Sequence, residues 1–95
     1  MGDSLQQTVG RSLKAYRLAQ GLSQESFAHI LGVHRTYLGG IERGEHNLTL
    51  KSVERLARRT GLDPMALLGV YGRVEEIDVR ELGRVLALLA PTRRR

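Results

Sequence analysis

The chain has no cysteine, so disulfides and thiolate metal sites are excluded. Aromatic residues make up only 4% of it, so any core must be built mainly from Leu, Val, Ile and Ala. No apolar run approaches the ~18 residues that a membrane-spanning helix needs. The N-terminus lacks a signal peptide's apolar segment, which predicts a cytoplasmic protein. There is no Gly-rich phosphate loop and no nucleophile motif. His29, His34 and His46 have no ligand spacing, and helix geometry does not put His29 and His34 on one face. The sequence therefore predicts no metal, no cofactor and no enzymatic activity.

What is present fits one small domain. The chain has 95 residues, of which 41% are hydrophobic, and a net charge of +5. That charge suits a polyanion such as DNA, although a basic soluble surface alone would carry it equally well.

The apolar spacing predicts an all-α fold. Asp3-Ser4-Leu5-Gln6 reads as a capping-box start. Leu5, Val9, Leu13 and Tyr16 then form one helical stripe that runs to about Gln20, and Gly21 stops it. Ser23 is the expected N-cap of a second helix carrying Phe27, Ala28, Ile30 and Leu31. Gly32 interrupts the pattern and can take the positive φ of a sharp turn. A third helix resumes with Tyr37, Leu38 and Ile41 and ends at Gly44. Thr49 is placed to cap a fourth helix with Leu50, Val53, Leu56 and Ala57 inward. Gly61 closes that helix, and Asp63-Pro64 opens a short fifth one.

Residues 24–43 thus read as two helices joined by a tight turn, a helix-turn-helix. The combination of Phe27, Ala28, Leu31, Gly32, Val33, Leu38 and Ile41 resembles the lambda-repressor-like (Cro/cI or Xre-type) family of DNA-binding domains. The resemblance covers roughly residues 8–70. The run SQESFAHILGVHRTYLGGIERGEHNLTL is similar to the controller-type regulators of restriction–modification systems. It implies a five-helix DNA-binding domain over residues 1–70, working in the cytoplasm of a bacterium or phage at the nucleoid. Residues 71–95 would be an extension with one more helix, about 79–90, and a basic end, Arg93 to Arg95. The extension opens with a capping box, Asp78 to Glu81, and Pro91 stops it.

A helix turns about 100° per residue. On the third helix this gathers Arg35, Gly39, Arg43, Thr36 and Gly40 within an arc of about 140°, opposite Leu38 and Ile41. Such an arc suits the major groove. Arg35 has the geometry for guanine O6 and N7, and Thr36 for a base edge or a thymine methyl. The resemblance puts base readers at His34, Arg35 and Thr36. His34 also stands where relatives have a capping Ser or Thr, so both readings are open. Gly39 is read as leaving room for the groove. Gly40 is open between that and close helix packing.

Phosphate contacts are expected from Ser23 and Gln24 at a helix N-terminus, and from Tyr37, Arg43, His46 and Asn47. His46 takes a place where close relatives carry Arg, so a contact there becomes weaker or pH-dependent. The resemblance further implies a partly buried ion pair between Arg17 and Glu42.

The reading is a double-stranded-DNA-binding transcriptional regulator, a homodimer on a palindromic operator. Its dimer surface is expected from Leu62, Met65, Leu67 and Leu68, joined by the stripe Val79, Leu82, Leu86 and Leu89, for which packing on its own domain is the other option. The rival reading is an antitoxin that binds a protein partner through Val74 to Leu89. The mixed charges of Arg80, Glu81 and Arg84 argue against a membrane surface.

Overall fold

Each helix begins on a side chain that accepts a backbone N–H. A computed structural model describes residues 4–69. In it Ser4 accepts from Gln7, Ser23 from Ser26, His34 from Thr36, Thr49 from Ser52 and Asp63 from Met65. The helices that follow are α1 (Leu5–Ala19), α2 (Gln24–Leu31), α3 (Arg35–Glu42), α4 (Leu50–Thr60) and α5 (Pro64–Leu67), with no strand among the described residues. Such caps satisfy N–H groups that the first turn of a helix leaves without a partner. The capping box of α1 closes one residue later than the sequence suggests. Gln7, not Gln6, returns its side-chain oxygen to the Ser4 N–H, at 2.9 Å.

The turns are closed by glycines in the left-handed region, among them Gly32 at φ 74° between α2 and α3. The N–H of Val33 then returns to the Ala28 oxygen at 3.0 Å. That bond closes the turn between α2 and α3.

All five helices turn apolar side chains to one core. Val9 and Leu13 come from α1, Phe27 and Leu31 from α2, Leu38 and Ile41 from α3, and Val53, Leu56 and Ala57 from α4. Tyr16 and Phe27 tie α1 to α2 as a tilted aromatic pair, with centroids 6.0 Å apart. Fully burying one such Leu or Phe contributes roughly 1.5–3 kcal/mol.

Four residues on the expected apolar stripes are instead exposed: Leu5 at 65%, Ile30 at 41%, Tyr37 at 36% and Leu50 at 75%. Leu5 and Leu50 are the first residues of their helices and stand at the rim of the packed layer. Ile30 lies about 100° around α2 from Leu31, outside the row made by Phe27 and Leu31.

The expected dimer residues of the fifth helix divide. Leu62 and Leu67 are core residues, exposed by only 2% and 0%. Gly61, at φ 77°, folds the chain back after α4, and the Leu62 N–H bonds to the Ala57 oxygen at 3.1 Å. This places Leu62 against the end of α4, as in a Schellman-type helix end. The same turn of chain aims Ala66 and Leu67 inward. Met65 is left exposed and Leu68 half-buried. Val79, Leu82, Leu86 and Leu89 lie outside the described residues.

Candidate nucleic-acid interface

The first turn of α3 presents Arg35 and Thr36 to solvent. Arg35 lines an open cleft together with Arg17, Ser23, Gln24 and Glu25. The start of α3 and the start of α2 therefore share one face. Backbone N–H groups at a helix start favour an anion, so this face combines a guanidinium with an anion-tolerant helix end.

His34, for which two readings are open on sequence, is the N-cap of α3. Its Nδ1 accepts the Thr36 N–H at 3.1 Å. Any base contact by His34 is thereby left to the Nε2 edge of the ring.

The far end of α3 is held by charge. Arg17 Nε donates to Glu42 Oε2 at 2.8 Å, and Arg17 Nη2 donates to Glu42 Oε1 at 3.1 Å. Arg17 Nη1 donates to the Leu22 carbonyl at 3.1 Å. Gln24 Nε2 donates to Glu42 Oε1 at 3.0 Å. One carboxylate thus joins α1, the start of α2 and the end of α3. Buried charges require such partners, because removal from water is costly.

Close approach of α1 and α3 depends on Gly10. A Cβ at Gly10 would overlap the backbone oxygen of Ile41. Gly10 lies inside α1, off the stripe of Leu5, Val9, Leu13 and Tyr16, and its neighbours in sequence offer no reason for it. The reason is a neighbour thirty-one positions away in the chain.

Gly39 and Gly40 are both buried. The place a Gly39 Cβ would occupy lies 3.2 Å from Arg43 Nη1 and 3.9 Å from Gln24 Nε2. A Cβ at Gly40 would overlap the His46 ring. Close packing therefore accounts for Gly40. His46 in turn stacks on Tyr37, with centroids 4.4 Å apart and planes inclined by 33°. The half-buried imidazole packs across α3, with Tyr37 at the rim.

Arg43 and Glu45 form an exposed pair across Gly44. Arg43 Nε donates to Glu45 Oε2 at 2.9 Å and Nη2 to Oε1 at 3.2 Å. The hydrogen bond from Arg43 holds the Glu45 carboxyl below its ordinary pKa, and the bond to Glu45 raises that of Arg43. Sequence reading placed Arg43 on the groove arc and did not foresee its acidic partner. The signal was there: two opposite charges flanking a glycine that ends a helix. Asn47 is exposed in the loop that follows.

Among the described residues, no three His, Cys, Asp or Glu side chains are grouped to hold a metal ion. No described helix is long and apolar enough to cross a membrane.

The helix-turn-helix family model HTH_3 matches residues 13–67. Control protein C.SmaI of Serratia marcescens is 36% identical over 72 residues, which span 76% of this chain and 86% of that protein. Control protein C.BamHI of Bacillus amyloliquefaciens is 33% identical over 69 residues, 72% of this chain and 85% of that one. Among solved structures, the restriction-modification controller protein C.AhdI of Aeromonas hydrophila superposes with a TM-score of 0.58 at 39% identity, covering 65% of this chain and 94% of that chain. The hypothetical transcription factor NHTF from Neisseria gives a TM-score of 0.64 at 29% identity, over 77% and 80% of the two chains.

Proposed function

We propose, from the premise that this chain belongs to the helix-turn-helix family and is a DNA-binding transcriptional regulator, that it reads a palindromic operator as a homodimer. That family is one of regulators rather than enzymes. The observation that carries the reading is the shared face of α2 and α3: Arg35 and Thr36 exposed at the start of one helix, beside Ser23 and Gln24 at the start of the other.

In this reading the start of α3 enters the major groove. Arg35 donates two parallel hydrogen bonds to guanine O6 and N7, and Thr36 and the His34 Nε2 edge meet neighbouring bases. Gly39 allows close approach of the helix. Ser23 and Gln24 hold a backbone phosphate at the N-terminus of α2. Tyr37, Arg43, His46 and Asn47 meet phosphates farther along the strand.

One such helix spans few base pairs. A two-fold pair doubles the interface and sets half-sites about 34 Å apart. Met65 and Leu68 are the apolar groups that α5 and its end leave for a second copy, and the stripe Val79, Leu82, Leu86 and Leu89 extends that surface. The similarity to control proteins supports a controller-type regulatory role.

Selection of bound sites from a random duplex library tests this reading. A selected palindrome with half-sites one helical turn apart is the expected result. Asymmetric single sites, or no enrichment, would overturn the dimeric operator reading.

A further inference from the structure

The Arg43–Glu45 pair adds nothing to the core, since its side chains are 61% and 57% exposed. Its geometry is nevertheless held by the backbone. Gly44, at φ 75°, turns the chain at the end of α3. The Glu45 N–H then bonds back to the Gly40 oxygen at 2.9 Å. The carboxylate is therefore presented from a backbone pinned to the recognition helix, not from a loose loop.

A guanidinium carries five N–H donors: one on Nε and two on each terminal nitrogen. Glu45 takes the Nε–H and one from Nη2. The two on Nη1 and the second on Nη2 remain. Nη1 lies over Gly39, 3.2 Å from where a Cβ would stand. Gly39 shares the arc of α3 that holds Arg35. Glu45 thus occupies the edge of the guanidinium turned to the loop, and the free edge lies along the groove-facing arc.

We propose that Glu45 is a specificity-determining residue acting through Arg43, an inference that rests on the operator-binding reading above. A loose arginine neutralises phosphates on any duplex, and each phosphate neutralised adds about 0.9 to the salt slope of binding. Paired with Glu45, Arg43 carries no net attraction from a distance, and the carboxylate repels phosphates that approach from the loop side. Only a duplex seated on α3 brings a phosphate to the free edge, where the guanidinium bridges it to the carboxylate. Glu45 thereby withholds Arg43 from random DNA and delivers it to the operator.

The test uses the full-length chain and four forms: wild type, Glu45→Gln, Arg43→Ala and the double variant. Each is titrated by fluorescence anisotropy, over a salt series, against the library-selected duplex and a scrambled duplex of equal length. Glu45→Gln should tighten scrambled-duplex binding about fivefold, the scale of one exposed ion pair, and steepen its salt slope by about one unit per monomer. Operator binding should gain less, so the ratio of the two affinities falls. In the Arg43→Ala background the same Glu45 change should gain clearly less, since only the carboxylate's own repulsion is then removed. An equal gain on both duplexes, no gain on either, or a gain equally large without Arg43 would each overturn the proposal. The last result would make Glu45 a plain repulsive charge. A wild-type chain with no preference for the selected duplex would instead count against the operator reading itself.

Discussion

Arg17 on α1 and Glu42 at the end of α3 share a two-point hydrogen-bonded ion pair, with only 11% and 3% of their side chains exposed. The pair fixes where α3 ends relative to the rest of the domain. Gln24, at the start of α2, donates to the same carboxylate. The angle between the two helices of the motif is therefore tied to α1 by one acidic side chain.

Removing one partner of this pair strands the other charge away from water. Arg17→Met and Glu42→Leu should each destabilise the fold by about 3–5 kcal/mol. The double variant should recover part of that loss, because no lone charge remains. Thermal melts of all three variants beside wild type check it, and strictly additive losses would show that the pair is not coupled.

Arg35→Ala should leave the fold intact, since its side chain is exposed. It should lose roughly 1–3 kcal/mol of discrimination at one guanine per half-site. Binding to a set of single-base operator variants measures this. If the variant chain ranks them as wild type does, Arg35 is not a base reader.

Gly10→Ala and Gly40→Ala should differ in their cost. At Gly10 the new Cβ meets the backbone of α3, which cannot move without shifting the whole of that helix. A destabilisation of about 1–3 kcal/mol follows from overpacking, against a helix-propensity gain of about 1 kcal/mol. At Gly40 the new Cβ meets the end of the His46 side chain, which swings aside more cheaply. Urea unfolding ranks the two variants. A more stable Gly10→Ala chain would mean that α1 and α3 tolerate a wider crossing.

Truncation after Val70 should weaken dimerisation. Of the four apolar residues between 62 and 68 expected to pair copies, Leu62 and Leu67 are consumed by the core. Met65 and Leu68 leave a small surface, so the stripe from Val79 to Leu89 has more to supply. Sedimentation equilibrium across a concentration series reads the constant. If it is unchanged, residues 79–89 pack within their own chain and Met65 and Leu68 carry the pairing.

The sequence by itself determined the helices, three of their five caps and the turn. Ser23, Thr49 and Asp63 cap because their side chains reach an N–H two or three residues ahead, and Gly32 turns because its own φ allows it. These are interactions between residues close along the chain, so composition and spacing expose them. It also determined which side of α3 carries Arg35 and Thr36, since helical periodicity alone sorts that face from Leu38 and Ile41. The tertiary structure decided the rest. Leu50 and Leu62 look alike in sequence, yet one stands at the rim and the other is sealed beneath a back-folded turn. Gly10 and Gly40 are explained only by the Ile41 oxygen and the His46 ring that lie against them. Arg43 reads as a free cation until Gly44 turns Glu45 back onto it. Each of these depends on where one segment crosses or folds back on another. That is settled by packing of the whole domain, which local spacing does not encode.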